Sequence, residues 1–175
     1  MGLIEDLRPG PVALDTQVFI YFIEEDKQFL PLVKPLFEAI DQATLLGATS
    51  GLTLMEVLVV PYRTGNFSLA DRYESLLTRS RGLRFIDVDR PLLKTAAWVR
   101  AAFRLKPPDA IQVAAAMVAK CQAFLTNDRR IPSMPGLKVV QNSLHAGIES
   151  GPTQKLFAAH KNHTELKLST LNRPS

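Results

Sequence analysis

The stretch of sequence that decides the fold runs from residue 107 to residue 128 and reads PPDAIQVAAAMVAKCQAFLTND. Its two prolines break the preceding helix and open a segment that is apolar on nearly every side up to Lys120, a pattern typical of a buried helix. A short apolar run, residues 123–126, follows at once and leads into Asn127 and Asp128, as a buried strand leads into a polar loop. A buried helix followed directly by a buried strand indicates an α/β fold.

Strands and helices alternate along the rest of the chain as well. Further strands are predicted over residues 12–14, 45–50, 84–88 and 137–140. Further helices are predicted over residues 27–43, 53–62, 68–80 and 91–105, with an apolar turn or short helix over 18–23. Ser68 is predicted to cap the helix that begins there. This alternation predicts a mainly parallel central sheet with helices packed against it.

Length and composition exclude several classes of protein. With 175 residues, 46% of them hydrophobic and 22% charged, the chain is not collagen, a coiled coil or a disordered protein. The single cysteine, Cys121, excludes an internal disulfide and a four-cysteine zinc site, and it favours a reducing compartment, so we expect a cytoplasmic protein. The sequence contains neither a secretory leader nor a long apolar segment, so we expect no membrane association.

The net charge of +4 resides mostly at the C-terminal end of the chain. Residues 151–175 carry four basic side chains and one acidic side chain, and the sequence Ser-Gly-Pro at residues 150–152 marks where this extension starts. We therefore expect one domain over residues 1–150 and a basic C-terminal extension over residues 151–175. Such an extension is compatible with a polyanionic partner.

Four acidic residues stand out because apolar residues precede or surround them. Asp15 and Asp128 each follow a predicted strand, Asp109 begins the buried helix, and Glu56 is embedded in the run LMEVL. Taken singly, they could serve as turn formers, a helix cap and an exposed helix residue. In open α/β sheets, however, ligands bind beyond the carboxyl ends of the strands, and carboxylates gathered there need a neutralising cation. Oxygen donors without histidine or cysteine suit Mg²⁺ or Mn²⁺.

Four segments around these acids resemble the sequence motifs of PIN domains, especially those of VapC-like toxin ribonucleases. The segments are LDTQVFIY at residues 14–21, SGLTLMEV at 50–57, PDAIQVAAA at 108–116 and FLTND at 124–128. Their order and spacing match the family, and the resemblance covers about residues 12–141. Gln17 departs from the pattern, since many relatives carry asparagine there, and the family pattern does not account for the C-terminal extension.

The resemblance implies both a fold and a chemistry. The fold would be a three-layer α/β/α PIN-like domain, which is Rossmann-like, and the activity would be Mg²⁺- or Mn²⁺-dependent endoribonucleolytic hydrolysis of RNA. By position, the metal-binding and catalytic acids would be Asp15, Glu56, Asp109 and Asp128. The polar groups that support them would be Thr16, Ser50 and Asn127, and candidate contacts to RNA phosphates are Lys106, Arg129 and Arg130. A VapC-type toxin would also have a cognate antitoxin and form a homodimer.

Other interpretations remain open from the sequence. A PIN nuclease that acts in RNA processing without an antitoxin would use the same site. A catalytically silent PIN-like binding module would keep the fold and lose the chemistry. An aspartyl phosphotransferase or dehalogenase-like enzyme also begins with an aspartate at a strand end, but many of its phosphatases carry a second aspartate two residues later, where this chain has Gln17.

Overall fold

The computed structural model describes residues 10–141 and the isolated positions 4 and 7. Between residues 10 and 141, five strands form one sheet: β1 (Val12–Leu14), β2 (Gly47–Ser50), β3 (Leu83–Ile86), β4 (Ala123–Leu125) and β5 (Lys138–Val140). The same range contains six helices: α1 (Thr16–Ile23), α2 (Leu30–Asp41), α3 (Gly51–Thr64), α4 (Phe67–Arg79), α5 (Arg90–Phe103) and α6 (Pro107–Val118). The predicted domain boundary at residue 150 and the basic extension lie outside the described residues.

All neighbouring strands of the sheet pair in parallel, in the order β3-β2-β1-β4-β5. The first three strands are added in one direction, and the chain then crosses back to place β4 on the other side of β1. The sheet therefore has its topological switch point between β1 and β4, where Leu14 lies opposite Leu125. Open parallel sheets bind their ligands at this point, beyond the carboxyl ends of the strands. The predicted parallel sheet is confirmed.

Helices cover both faces of the sheet. Helices α1 to α4 pack with one another on one face, and α5 packs with α6 on the other. Ala13 and Phe124 face the core under α5 and α6. Because side chains alternate along a strand, Leu14 and Leu125 point toward the opposite layer. This arrangement confirms the three-layer α/β/α architecture.

Helix α6 lies close to the sheet because small residues meet on both sides of the contact. Its alanines, among them Ala110 and Ala114, are buried together with Ala13 and Ala48 of the strands. The prediction of a buried helix in this stretch is confirmed as far as Ala116, and the last residues of α6 are partly exposed. Close packing of this kind fixes the position of every α6 side chain that points toward the sheet edge.

Polar side chains begin three of the helices. Asp15 accepts a hydrogen bond from the amide of Thr16 at the start of α1, and Asp89 accepts one from Leu92 at the start of α5. Asn66 accepts one from Leu69 and begins α4. The predicted Ser68 cap is therefore wrong, because the asparagine two residues earlier supplies the oxygen that the first turn needs.

Two further observations concern membrane crossing and the single cysteine. None of the helices in residues 10–141 is long and apolar enough to cross a membrane. Cys121 is buried, and this burial raises the pKa of its thiol to about 12. The side chain therefore packs as a small apolar group and does not act as a nucleophile.

Candidate active site at the carboxyl edge of the sheet

Asp15 and Asp128 lie at the ends of two neighbouring strands and are joined through one threonine. The backbone amide of Asp15 donates to the carbonyl oxygen of Leu125 over 3.0 Å, which keeps the ends of β1 and β4 side by side. The buried Thr126 hydroxyl donates to Asp15 Oδ2 over 2.6 Å and accepts from the amide of Asp128 over 3.0 Å. The switch point thus places two of the predicted acids on one edge of the sheet.

Glu56 reaches the same edge from α3 and meets α1 there. The hydroxyl of the buried Thr16 donates to Glu56 Oε2, while the amide of Thr16 donates to Asp15 Oδ1 over 2.8 Å. Thr16 therefore joins Asp15 to Glu56, as Thr126 joins Asp15 to Asp128. Glu56 itself is only partly buried.

Asp109 lies in the first turn of α6, and Arg130 links it to Asp128. Arg130 Nε lies 2.9 Å from Asp128 Oδ1 and 3.2 Å from Oδ2, and Arg130 Nη2 lies 3.9 Å from Asp109 Oδ2. The side chains of Asp109 and Asp128 are only 15% and 13% exposed, whereas that of Arg130 is 50% exposed. A half-exposed guanidinium therefore bridges two largely shielded carboxylates.

A buried network centred on Gln112 of α6 supports Thr16 and, through it, Glu56. Gln112 Nε2 donates to Thr16 Oγ1 over 3.2 Å and to Thr53 Oγ1 over 2.8 Å. Gln112 Oε1 accepts from the buried Ser50 hydroxyl over 2.8 Å. One amide therefore connects α1, α3 and the end of β2 directly beneath the acidic edge. The sequence did not lead us to predict this role of Gln112. The signal for it is a single amide side chain in an otherwise apolar helix.

The neighbours of the hydroxyls in this network indicate which oxygen each of them donates to, and Thr53 Oγ1 also lies 3.2 Å from Thr16 Oγ1. Thr49 donates to the carbonyl oxygen of Leu14 over 3.1 Å, so its contact of 2.8 Å with Thr53 must be donated by Thr53. Thr16 already accepts from the amide, and its own hydrogen points to Glu56. Because each hydroxyl donates only once, the network presents Glu56 with a fixed donor.

Asn127 and Tyr21 form a second polar group behind Asp15. Asn127 Nδ2 donates to the Tyr21 hydroxyl over 2.8 Å, and that hydroxyl donates to Gln17 Oε1 over 2.9 Å. Burial of the ring raises the pKa of Tyr21 to about 12, against the lowering effect of the Asn127 bond, with Asp26 and Asp15 adding smaller increases. Tyr21 therefore stays protonated and neutral. Asn127 Oδ1 is buried and accepts no hydrogen bond from any described residue.

The predicted cationic residues lie at the surface beside the acids. Lys106 immediately precedes α6 and is exposed, as is Arg129. Arg130 is also at the surface and contacts Asp128 and Asp109. The edge of the sheet thus combines shielded carboxylates with exposed positive side chains, which is the distribution that a site for a phosphate-rich ligand requires.

The donor atoms of this edge suit a hard divalent cation by their chemistry. Carboxylate oxygens and the orphaned amide oxygen of Asn127 are the kinds of ligand that Mg²⁺ and Mn²⁺ prefer. As they stand, no three His, Cys, Asp or Glu side chains in the part of the chain that the structure describes form a group that could hold a metal ion. Arg130 hydrogen-bonds both carboxylate oxygens of Asp128, so the guanidinium would compete with an ion for them.

The topology and these side chains define the protein as an α/β domain with an acidic site at the switch point of a parallel sheet. The family model for the PIN domain matches residues 12–137, which is more than half of the chain. The chain belongs to the PIN domain family. The comparison with curated proteins gave no match.

Solved structures of low sequence identity share the fold. A toxin-antitoxin complex from Klebsiella pneumoniae is 22% identical with a TM-score of 0.54, over 72% of this chain and 94% of that one. FitAB bound to an IR36 DNA fragment is 20% identical with a TM-score of 0.56, over 79% and 98%. Mycobacterium tuberculosis VapC20, a Sarcin-Ricin loop cleaving toxin, is 16% identical with a TM-score of 0.52, over 81% and 99%. At these identities the likeness establishes the fold alone.

Proposed function

We propose that the protein is a Mg²⁺- or Mn²⁺-dependent endoribonuclease that hydrolyses RNA phosphodiester bonds, and that it is the toxin of a VapBC-type toxin-antitoxin pair. The observation that carries this proposal is the linkage of four acids at the switch point of a PIN domain. Thr126 joins Asp15 to Asp128, Thr16 joins Asp15 to Glu56, and Arg130 joins Asp128 to Asp109. These links support the assignment of the acids to the edge at which open parallel sheets bind ligands.

The four linked acids would hold the ion, which would supply an activated water and stabilise the charge that develops on the phosphate. The other residues of the edge orient these acids. Thr126 fixes the carboxylate of Asp15, and the network around Gln112 fixes Glu56 through Thr16. The exposed cations Lys106, Arg129 and Arg130 would contact RNA phosphates, which positions a substrate without reading its sequence.

The similar structures support the biological part of the proposal. Two of them are described as a toxin-antitoxin complex and a Sarcin-Ricin loop cleaving toxin. An antitoxin that binds this protein is therefore part of the proposal. We also propose a cytoplasmic location, because RNA and a reducing environment that suits the free Cys121 occur together there.

A catalytically silent PIN-like binding module is the second candidate. The observation that favours it is the Arg130 bridge, since a permanent bridge between Asp109 and Asp128 would keep those carboxylates from a metal ion. The two candidates differ in whether the protein binds a divalent cation and cuts RNA.

Cleavage of a mixed panel of structured and single-stranded RNAs, in Mn²⁺, Mg²⁺ or EDTA, tests the proposed activity. We expect discrete cuts with either cation and none in EDTA, because the acids alone provide no positive charge to stabilise the phosphate. Mn²⁺ binding is measured on the same preparation by calorimetry. Cleavage that continues in EDTA would contradict metal-dependent chemistry, and a folded protein that neither binds Mn²⁺ nor cuts RNA would be the silent module.

Two exposed apolar surfaces support the proposed protein partners. The first is a stripe on α3 formed by Met55, Val59 and Tyr62, with Phe67 beside it, and it adjoins Glu56 on the same helix. A partner that covers this stripe would also cover an acid of the site, as an inhibitory antitoxin would. Exposed apolar surfaces of this kind commonly mark protein interfaces.

The second surface lies on α5 and contains none of the four acids. Trp98 is 60% exposed on this helix, and Leu93 is also exposed. Leu93 also lines a groove of about 580 Å³ between α5 and α6, whose lining includes Ala97 and Ala101 together with Arg100 and Arg104. None of the four acids lines this groove, so we assign this surface to the proposed homodimer.

Light scattering during size-exclusion chromatography tests the assignment. We expect the wild-type protein to have twice the chain mass of 19.4 kDa, and Trp98→Ser to shift it toward a single chain because an aromatic contact is lost from the interface. Tyr62→Ser is the matched control, since Tyr62 is 56% exposed on the other surface. A single-chain mass for the wild type, or an equal shift in both variants, would contradict the assignment.

A further inference from the structure

Arg130 engages Asp128 through both its backbone and its side chain. Its amide donates to Asp128 Oδ1 over 3.0 Å, and its Nε contacts Oδ1 and Oδ2 over 2.9 and 3.2 Å. Both carboxylate oxygens of Asp128 therefore have guanidinium donors. The same guanidinium extends to Asp109 at 3.9 Å.

The two carboxylates need such a neighbour when no other cation is present. Asp109 and Asp128 are both shielded from solvent, so their mutual repulsion is screened less than between exposed groups. A guanidinium offers a planar fork of donors that matches a carboxylate, and its charge offsets the repulsion. Arg130 thus occupies the electrostatic place that a bound cation would take.

We propose that Arg130 is the internal counter-ion of the acidic site. In the metal-free protein it binds Asp128 and Asp109, and a divalent cation that enters the site displaces its guanidinium toward solvent, where it contacts an RNA phosphate. This inference rests on the proposed function, because it takes the acids as the metal ligands. Metal binding is then the step that releases the Arg130 side chain to bind phosphate.

The local structure allows the side chain to leave while the loop keeps its shape. The hydrogen bond from the Arg130 backbone amide to Asp128 Oδ1 does not involve the guanidinium. A second hydrogen bond holds the turn, from the amide of Ile131 to the carbonyl oxygen of Asp128 over 3.3 Å. The side chain of Arg130 is already half exposed. Displacement therefore needs rotation of one long side chain and no change in the turn.

The neighbouring Arg129 provides a charge-matched control. It is exposed, and among residues 10–141 it forms no ion pair with the acids. Arg129→Gln and Arg130→Gln remove the same charge from adjacent positions, and only the second removes the bridge. Any difference between these variants therefore reports the bridge rather than the net charge.

Titration of Mn²⁺ into the metal-free full-length protein by calorimetry is the primary test. We expect Arg130→Gln to bind Mn²⁺ about two- to fivefold more tightly than the wild type, the size of effect expected from an ion pair with a half-exposed partner. Arg129→Gln should change the affinity by less than half as much. In the absence of metal, Arg130→Gln should melt at a lower temperature than Arg129→Gln, because two shielded acids lose a guanidinium partner.

Binding of a non-cleavable 2′-O-methyl RNA gives a second readout. With Mg²⁺ present, Arg130→Gln should weaken RNA binding. The slope of log affinity against log salt concentration should also fall, by about the amount that one phosphate contact contributes. In EDTA the same substitution should have a smaller effect on RNA binding, because the wild-type guanidinium is then held by the acids. Arg129→Gln should show the same effect in both conditions.

The outcomes separate this inference from the proposed function. If the wild type binds Mn²⁺ and the two arginine variants bind it with equal affinity, the counter-ion role is overturned and the metal site stands. If Arg130→Gln binds Mn²⁺ and the wild type does not, the counter-ion role is supported in its strongest form. If neither protein binds Mn²⁺, the counter-ion role and the proposed metal site both fail.

Discussion

Asp15→Asn is expected to lower metal-dependent RNA cleavage by about 10²- to 10³-fold, the usual loss when one stabilising group is removed from a transition state. Asp15 stands at the switch point. Thr16 links it to Glu56, and Thr126 links it to Asp128. Asparagine keeps the size of the side chain and its capping oxygen, so α1 should still begin at Thr16. The substitution removes one negative charge and the acceptor that the Thr126 hydroxyl uses at Oδ2, and cleavage rates under single-turnover conditions measure the combined effect.

Asp89→Asn is the matched control for this substitution. Asp89 also caps a helix with its carboxylate, but it lies outside the acidic edge. Both variants should melt within a few degrees of the wild type in EDTA, and saturating Mn²⁺ should raise the melting temperature of the wild type and Asp89→Asn only. If Asp15→Asn retained wild-type cleavage, or Asp89→Asn lost it equally, the assignment of Asp15 to the site would be wrong.

Gln112→Leu is expected to reduce both stability and activity, although Gln112 is buried beneath the acids. The substitution leaves Ser50, Thr16 and Thr53 without their shared partner, and unsatisfied buried groups cost roughly 1–3 kcal/mol each. Part of this cost is offset by the apolar side chain, so we expect a loss of about 2–3 kcal/mol in the free energy of unfolding. Activity should fall by about 10- to 100-fold, because Thr16 no longer holds Glu56 in one orientation.

Gln122→Leu is the control, because it makes the same chemical change at an exposed position. Urea unfolding measures the stability of both variants, and cleavage rates at saturating Mn²⁺ are compared below the unfolding transition. Gln112→Asn, which keeps an amide on a shorter side chain, should recover part of the activity. Loss of stability in Gln112→Leu with fully retained cleavage would show that the network supports the fold and does not position Glu56.

The fold could be predicted from the sequence because its signals are local. The apolar helix and strand between residues 107 and 128 indicate burial without any knowledge of their neighbours. Asp15 and Asp128 each follow a strand, so a parallel sheet necessarily brings them to one edge. The Ser68 cap failed for a local reason, since Asn66 competes for the same role within one helical turn.

The candidate site was predictable only in part, because its supporting contacts span distant segments. Gln112 and Thr16 are separated by 96 residues, and Thr126 and Asp15 by 111, so no sequence window contains either pair. The bridge from Arg130 to Asp109 depends in the same way on how the loop after β4 approaches α6. Residue types near the acids could be identified from their motifs, whereas their pairing required the tertiary structure.

Anomalous diffraction from crystals of the full-length protein soaked in Mn²⁺ is the most direct test of a metal site at this edge. We expect a Mn²⁺ peak within coordination distance of carboxylate oxygens from Asp15 and at least one of Glu56, Asp109 and Asp128. The guanidinium of Arg130 should lie away from Asp128 in the same crystals. A fully ordered acidic edge without a peak, with Arg130 still bridging its two aspartates, would contradict the proposed metal-dependent site.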